Sequence, residues 1–134
     1  MHVKDPGQIE KRLISDSQGN LNIVELPFSC QRIYTLEKIA KNSTRGHHAH
    51  KDLEQIFLVL RGSLTLECST PFSTFTFTLR HSDTHAVYLP AGYWRVLSNF
   101  APETICLVLA SSHYVETDYI RDLESYKKWF GDSN

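Results

Sequence analysis

Ser73-Thr74-Phe75-Thr76-Phe77-Thr78-Leu79 places Phe75, Phe77 and Leu79 at every second position, with threonines between them. Side chains alternate between the faces of a strand, so this stretch has one apolar and one polar face, as a half-buried antiparallel strand does. Upstream, Leu64, Leu66 and Cys68 alternate with Thr65 and Glu67 in the same way, and Thr70-Pro71 between the two runs reads as a turn. Gly62-Ser63 separates Ile56–Arg61 from Leu64–Cys68 and is expected to close a hairpin, with the glycine at positive φ.

Further out, Leu21–Leu26, Arg32–Leu36, Ala86–Leu89, Trp94–Leu97 and Thr104–Ala110 read as strands. Many short strands punctuated by turns point to a sandwich or a barrel. Only the C-terminus looks helical. Ile120, Leu123, Tyr126 and Phe130 share a helical stripe, which predicts a helix over about 118–130. Thr117 or Asp118 is expected to cap its start, and Gly131 to stop it.

The 134 residues suit one domain spanning 1–134 and can close a real core. The chain is 41% hydrophobic and 22% charged, an ordinary globular balance. A formal net charge of -1 gives no sign of a nucleic-acid or membrane surface, though it leaves room for a local phosphate site. The N-terminus shows no signal peptide, and no apolar run approaches the ~20 residues of a membrane span. Cys30, Cys68 and Cys106 are odd in number, widely spaced and set in apolar runs. That pattern predicts reduced, buried thiols and a cytoplasmic protein.

The chemistry concentrates in Thr44-Arg45-Gly46-His47-His48-Ala49-His50-Lys51-Asp52-Leu53-Glu54-Gln55. On a strand, His48 and His50 point to the same face, and in a barrel both rings enter the cavity. With Glu54 and the later Gly62, this resembles the first cupin signature, in which two His and one Glu commonly ligate a metal. The second cupin signature is matched by Pro90-Ala91-Gly92-Tyr93-Trp94-Arg95 with Asn99, except that Arg95 stands where a third histidine is expected. Arginine offers no lone pair and its charge repels a divalent ion, so neither metal nor cofactor is expected. Two histidines that titrate near neutrality, beside an arginine able to hold an enolate oxygen or a phosphate, suit proton abstraction next to a carbonyl. From the cluster alone, an isomerase or epimerase and a non-catalytic ligand-binding barrel are equally open.

Two longer motifs narrow this. Arg45-Gly46-His47-His48-Ala49-His50-Lys51 with Leu53-Glu54-Gln55 is similar to the RGxHAHKxLxQ motif of the nucleotide-linked 4-keto-6-deoxyglucose 3,4-ketoisomerases. Leu107-Val108-Leu109-Ala110-Ser111, followed by Tyr114 and Glu116-Thr117-Asp118-Tyr119-Ile120-Arg121, resembles the LVLAS…YxETDYIR ending of that family. Asp16-Ser17-Gln18-Gly19-Asn20-Leu21 resembles its early DxxGxL.

The resemblance, from about Leu13 to Phe130, implies an all-β cupin (jelly-roll) barrel with a short C-terminal helix. It implies a homodimer that exchanges N-terminal strands. The implied reaction converts dTDP-4-keto-6-deoxy-D-glucose to its 3-keto isomer through an enediol. The product would serve 3-amino-3,6-dideoxyhexose synthesis for surface glycans such as the O-antigen of lipopolysaccharide. His48 is then the carbon base and His50 the oxygen shuttle. Arg45 is expected to hold the pyrophosphate, with a surface ion pair as the alternative. Tyr88 is expected to face the sugar, with a core tyrosine as the alternative, and Lys51 either reaches a phosphate or is structural. In the family, Arg95 and the residue before the early glycine, Gln18, accompany the C4 configuration of the product. Arg95 favours the gluco isomer, while Gln18 matches neither family pattern. Trp94 is read as a core or dimer contact, and His2, His47, His81, His85 and His113 have no expected catalytic role. The rival enzyme of the same chemistry is a sugar-nucleotide 3,5-epimerase.

Overall fold

The structure is a computed structural model and describes residues 3–133, so His2 lies outside it. In chain order the strands are β1 (Gly7–Asp16), β2 (Gly19–Val24), β3 (Arg32–Leu36), β4 (Arg45–His50), β5 (Gln55–Arg61) and β6 (Ser63–Thr70). They continue with β7 (Ser73–Arg80), β8 (His85–Leu89), β9 (Trp94–Ser98), β10 (Ile105–Ala110) and the two-residue β11 (Tyr119–Ile120), before helix α1 (Leu123–Asp132). All strand pairs are antiparallel. One sheet runs β2-β1-β8-β5-β10-β3 and the other β11-β4-β9-β6-β7. This is an all-β cupin jelly roll with a short C-terminal helix. Among the described residues, no helix is long and apolar enough to cross a membrane.

The alternation in β6 and β7 builds the core directly. Leu64 faces Leu79, Leu66 faces Phe77 and Cys68 faces Phe75 across the ladder. Leu64, Leu66 and Cys68 are almost fully buried and pack with Phe57, Val108 and Leu89 from the opposite sheet. Each buried leucine contributes about 2 kcal/mol of transfer free energy. Burial also lifts the Cys68 and Cys106 thiols to about 12, so both are inert, while Cys30 is only half-buried.

The structure corrects the reading at Gly62. β5 pairs with β8 and β10, whereas β6 pairs with β7 and β9, so Gly62 is a corner between sheets and not a hairpin turn. Its φ is +79°, and a Cβ there would lie 2.3 Å from the Thr104 hydroxyl oxygen. Buried Thr104 accepts from the Ser63 amide at 3.2 Å and donates to the Ala101 carbonyl at 2.7 Å, fixing that corner. Only a residue without Cβ fits.

The helix is also corrected. It begins at Leu123, not near 118, and Asp122 is its cap, accepting from the Ser125 amide at 2.9 Å. Ile120 belongs to β11, opposite Ala49, and Gly131 lies inside the helix, which is capped by Ser133. A strand residue placed just before a helix mimicked an added helical turn. Tyr126 and Phe130 are the buried anchors, and outward-facing Trp94 packs on Tyr126 at 5.8 Å. β1 carries no clean alternation and was not expected as a strand. Its first four residues pair with β8, and the rest with β2 alone.

Candidate active site

A cavity of about 480 Å³ opens between the sheets, walled by β3, β4, β5, β9 and β11. A bulge sets its geometry. β4 pairs with β9 as Arg45↔Leu97 and Gly46↔Val96, then His48↔Arg95, so His47 is one extra residue in the ladder. Gly46 and His47 both take positive φ, +93° and +57°. Residues directly opposite share a face, and a bulge inverts the parity of everything beyond it. Arg45 beside inward Leu97 and His48 beside inward Arg95 therefore both line the cavity, although they are three positions apart and a regular strand would set them on opposite faces. A Cβ on Gly46 would lie 2.8 Å from the Arg95 carbonyl oxygen, so the bulge requires glycine.

His48 and His50 lie side by side, their ring centroids 4.9 Å apart and perpendicular. His48 Nδ1 is 3.0 Å from the Gly46 carbonyl. A carbonyl only accepts, so Nδ1 carries the hydrogen and Nε2 the lone pair. His50 is fully buried, its Nδ1 is 2.9 Å from Asp118 Oδ2, and its Nε2 meets no partner among the described residues. Burial, then the Arg95 charge, push the His48 ring down to about 4. Burial, then Arg95 and His48, push His50 down to about 2. The contact with Asp118 favours a charged His50 ring, whereas its surroundings favour a neutral one. We take it as neutral, because the Nδ1–H of a neutral imidazole already satisfies the carboxylate. Both rings are thus neutral proton acceptors at cell pH.

Arg95 is fully buried at the base of the cavity. It donates to Gln55 Oε1 and, at 3.4 Å, weakly to the Tyr93 carbonyl, while its buried Nε has no partner among the described residues. Gln55 in turn donates to the Tyr34 hydroxyl at 3.0 Å, which leaves that hydroxyl proton free to point elsewhere. Burial raises Tyr34, so the phenol stays protonated. At the mouth, the Arg121 guanidinium sits 4.2 Å from the Tyr119 ring centroid and is clamped by Glu116 at 2.9 and 3.0 Å. Arg32 reaches the Tyr119 hydroxyl at 3.5 Å. Four arginines (Arg32, Arg45, Arg95 and Arg121) line the cavity, and none of its described lining residues carries a carboxylate. A chain of nearly zero net charge thus builds a strongly cationic pocket.

Of the residues picked from sequence, His48, Arg45 and Arg95 line this cavity and His50 lies directly behind it, its ring 4.3 Å from that of Tyr119. Three others are elsewhere. Tyr88 alternates with the core residues Val87 and Leu89, so it points to the outer face and donates to Glu54. Burial and that carboxylate raise its pKa. Lys51 and Glu54 line the same outer depression. The inward residue at that point is Gln55 and not Glu54, one position on from the carboxylate of the cupin signature. Gln18 is exposed at the β1–β2 turn, its amide bonded to Asp16 at 2.8 Å. His47 is exposed at the rim, bonded to Thr44 at 2.8 Å. Sequence reasoning missed Arg32, Tyr34, Gln55, Tyr119, Arg121 and Asp118 as site residues. Arg32, Tyr34 and Leu36 line the cavity at every second position of β3, so polar residues at an inward parity were the available signal.

Both the sequence and the fold have known relatives. The chain is 34% identical, over 94% of its length and 93% of the relative's, to a TDP-4-oxo-6-deoxy-alpha-D-glucose-3,4-oxoisomerase of Aneurinibacillus thermoaerophilus. The sugar 3,4-ketoisomerase QdtA of Thermoanaerobacterium thermosaccharolyticum, solved with TDP, superposes with a TM-score of 0.88 at 32% identity, covering 96% of each chain. A histidine-to-asparagine mutant of the same enzyme, solved with TDP-4-keto-6-deoxyglucose, gives 0.88 at 31% identity over 95% and 94% of the two chains. Residues 4–130 match the family model FdtA, described as WxcM-like, C-terminal. The chain belongs to the FdtA (WxcM-like, C-terminal) family, whose sugar 3,4-ketoisomerases it resembles in sequence and in fold over nearly its whole length.

Proposed function

We propose that this protein is a TDP-sugar 3,4-ketoisomerase. It converts dTDP-4-keto-6-deoxy-D-glucose to a dTDP-3-keto-6-deoxyhexose without a metal. The observation that carries this reading is the pair of neutral imidazoles 4.9 Å apart, each bonded through Nδ1, above a buried guanidinium. His48 takes the C3 proton, and the C–H electrons form the C3=C4 bond of an enediol while O4 gains a proton. His50 Nε2 takes that proton from O3 and delivers it to O4, the O3–H electrons return as C3=O3, and the C3=C4 pair takes a proton from water at C4 while His48 releases its own to water. Hydrogens and electrons balance with no external oxidant. Arg95 stabilises the developing enolate oxygen, and Arg45 at the rim takes the diphosphate. The metal-free reading is supported by the chemistry of the donors. Glu54 is bonded to Tyr88 on the outer face, and Arg95 replaces the third histidine. Arg95 also favours the gluco product, which an aminotransfer to C3 would consume.

A homodimer that exchanges N-terminal strands fits the same reading. Leu13, Ile14 and Leu21 on the β1–β2 hairpin are about half exposed, at 54%, 49% and 56%. Gln18 at the hairpin tip can meet a sugar only in a second copy's cavity.

The test is an NMR time course with dTDP-4-keto-6-deoxy-D-glucose in deuterated buffer, with and without EDTA. A 3-keto product that forms equally with EDTA is expected, and its C4 coupling gives the configuration. An unchanged sugar despite demonstrated binding would sink the reading. Deuterium at C3 and C5 with the 4-keto group retained would replace it with an epimerase.

A further inference from the structure

The environment of His50 contains more than its proposed role requires. The carboxylate of Asp118 is shared between two donors: Oδ2 faces His50 Nδ1 at 2.9 Å, and Oδ1 accepts from the Asp52 backbone amide at 2.8 Å. Backbone bonds hold Asp118 itself in place. Its carbonyl accepts from the Lys51 amide at 3.0 Å, and its amide donates to the Val115 carbonyl at 3.0 Å. The next two residues, Tyr119 and Ile120, pair with His50 and Ala49 as β11. The His50 carbonyl accepts from the Gly92 amide at 2.8 Å. Ring and carboxylate are therefore fixed to each other through the main chain, and Asp118 lies outside the cavity lining.

We propose that Asp118 is the positioning residue of His50: its carboxylate locks the Nδ1–H tautomer and so keeps the Nε2 lone pair available as the proton acceptor. The inference rests on the reading that His50 carries a proton in the reaction. The logic is one of hydrogen-bond polarity. A backbone amide can only donate, so the oxygen it holds must accept. The second carboxylate oxygen can also only accept, so Nδ1 must carry hydrogen. When Nε2 takes a proton, the imidazolium forms beside an anion, which opposes the nearby charges of Arg95, Arg32 and Arg121.

This makes a prediction that a merely structural role does not. Asp118→Asn keeps the shape, but the Asp52 amide retains the carboxamide oxygen and turns the NH2 group towards Nδ1. Two donors cannot face each other, so the ring hydrogen moves to Nε2 and the acceptor is lost. Asp118→Ala removes the partner and leaves both tautomers accessible. The isosteric variant should therefore be the worse enzyme. We expect kcat to fall about 10²–10⁴-fold in Asp118→Asn, the range seen when a catalytic histidine is held in the wrong tautomer, and by less in Asp118→Ala, with KM little changed in both.

The second readout is a long-range ¹H–¹⁵N spectrum of histidine-labelled protein. It should show His50 with a protonated Nδ1 in the wild type and a protonated Nε2 in Asp118→Asn. A wild-type His50 protonated on Nε2 overturns the proposal even if the variant fails to fold. So does an Asp118→Asn enzyme with full kcat, or one that outperforms Asp118→Ala. A wild-type protein with no isomerase activity would defeat the proposed reaction, yet the spectrum would still decide the tautomer.

Discussion

At the base of the cavity, a polar side chain is buried and held by partners within the chain. In the outer half of the β1–β2 hairpin, apolar groups are exposed and find none among the described residues. Arg95 is 1% exposed, held by Gln55 and the Tyr93 carbonyl, while Leu21 is 56% exposed and paired only through its backbone. A buried charge is tolerated only where hydrogen bonds and neighbours are arranged for it, so the cavity had to be built residue by residue. An exposed leucine costs little by itself, but a two-stranded ribbon bare on both faces is not stable alone. The first arrangement prepares a site for a small anionic ligand. The second is a surface suited to another protein, and a second copy is the occupant the proposed function implies.

The sharpest break in this contrast comes from the cavity. His48→Asn should lower kcat about 10³-fold or more, with nucleotide binding retained by calorimetry. Loss of binding and of the folded state together would make His48 a structural residue instead.

Gly46→Ala should be next. It puts a Cβ 2.8 Å from the Arg95 carbonyl at a φ of +93°, so thermal unfolding should show a loss of about 2–3 kcal/mol. Activity should drop as well, because the same bulge aims both Arg45 and His48. A variant with unchanged melting would show that the bulge can relax.

The neutral histidines give a smaller, pH-dependent effect. The folded His48 titrates near 4 against about 6.5 when unfolded, so the unfolded state binds more protons between those values. Stability is full above about pH 6.5 and falls as pH drops towards 4, by on the order of 2 kcal/mol for this half-buried ring once solvent screening is allowed for. Burial is the main cause, and the charges of Arg95, Arg121 and His47 add to it. Chemical denaturation of wild type and His48→Asn across this range should show a shallower slope in the variant. Parallel slopes would mean that the ring is charged in the folded protein.

The hairpin should respond in the opposite sense. Leu13→Asp with Leu21→Asp should change the stability of a single barrel by less than about 1 kcal/mol, since both side chains already face solvent. The same pair should abolish self-association in sedimentation runs. A wild-type protein that sediments as a monomer would remove the second copy from the proposal.

Legibility in the sequence followed the local patterns. Period-two alternation in β6 and β7 and the two histidines on one strand face were readable because a strand's side-chain period is a property of the backbone itself. Helix α1 was legible in kind but not in bounds, because β11 imitated its first turn. Gly62 was read as a hairpin because two apolar runs around a glycine look the same whether the chain folds back or crosses to another sheet. Asp118, with Thr117, is a helix-cap candidate by sequence because a carboxylate suits both roles, and only its position 68 residues from His50 in sequence and 2.9 Å in space distinguishes them.

Residue spacing alone, then, settled a β-rich domain, sandwich or barrel, with His48 and His50 on a common strand face, since side-chain alternation is local to each strand. The tertiary structure decided which side chains join them. It brought Arg32, Tyr34 and Tyr119 to the cavity, set Gln55 between Tyr34 and Arg95, turned Glu54 and Tyr88 away, and put Asp118 behind His50. The physical reason is that partners across a ladder or a bulge depend on register between strands distant in the chain, and one extra residue such as His47 reverses every face beyond it.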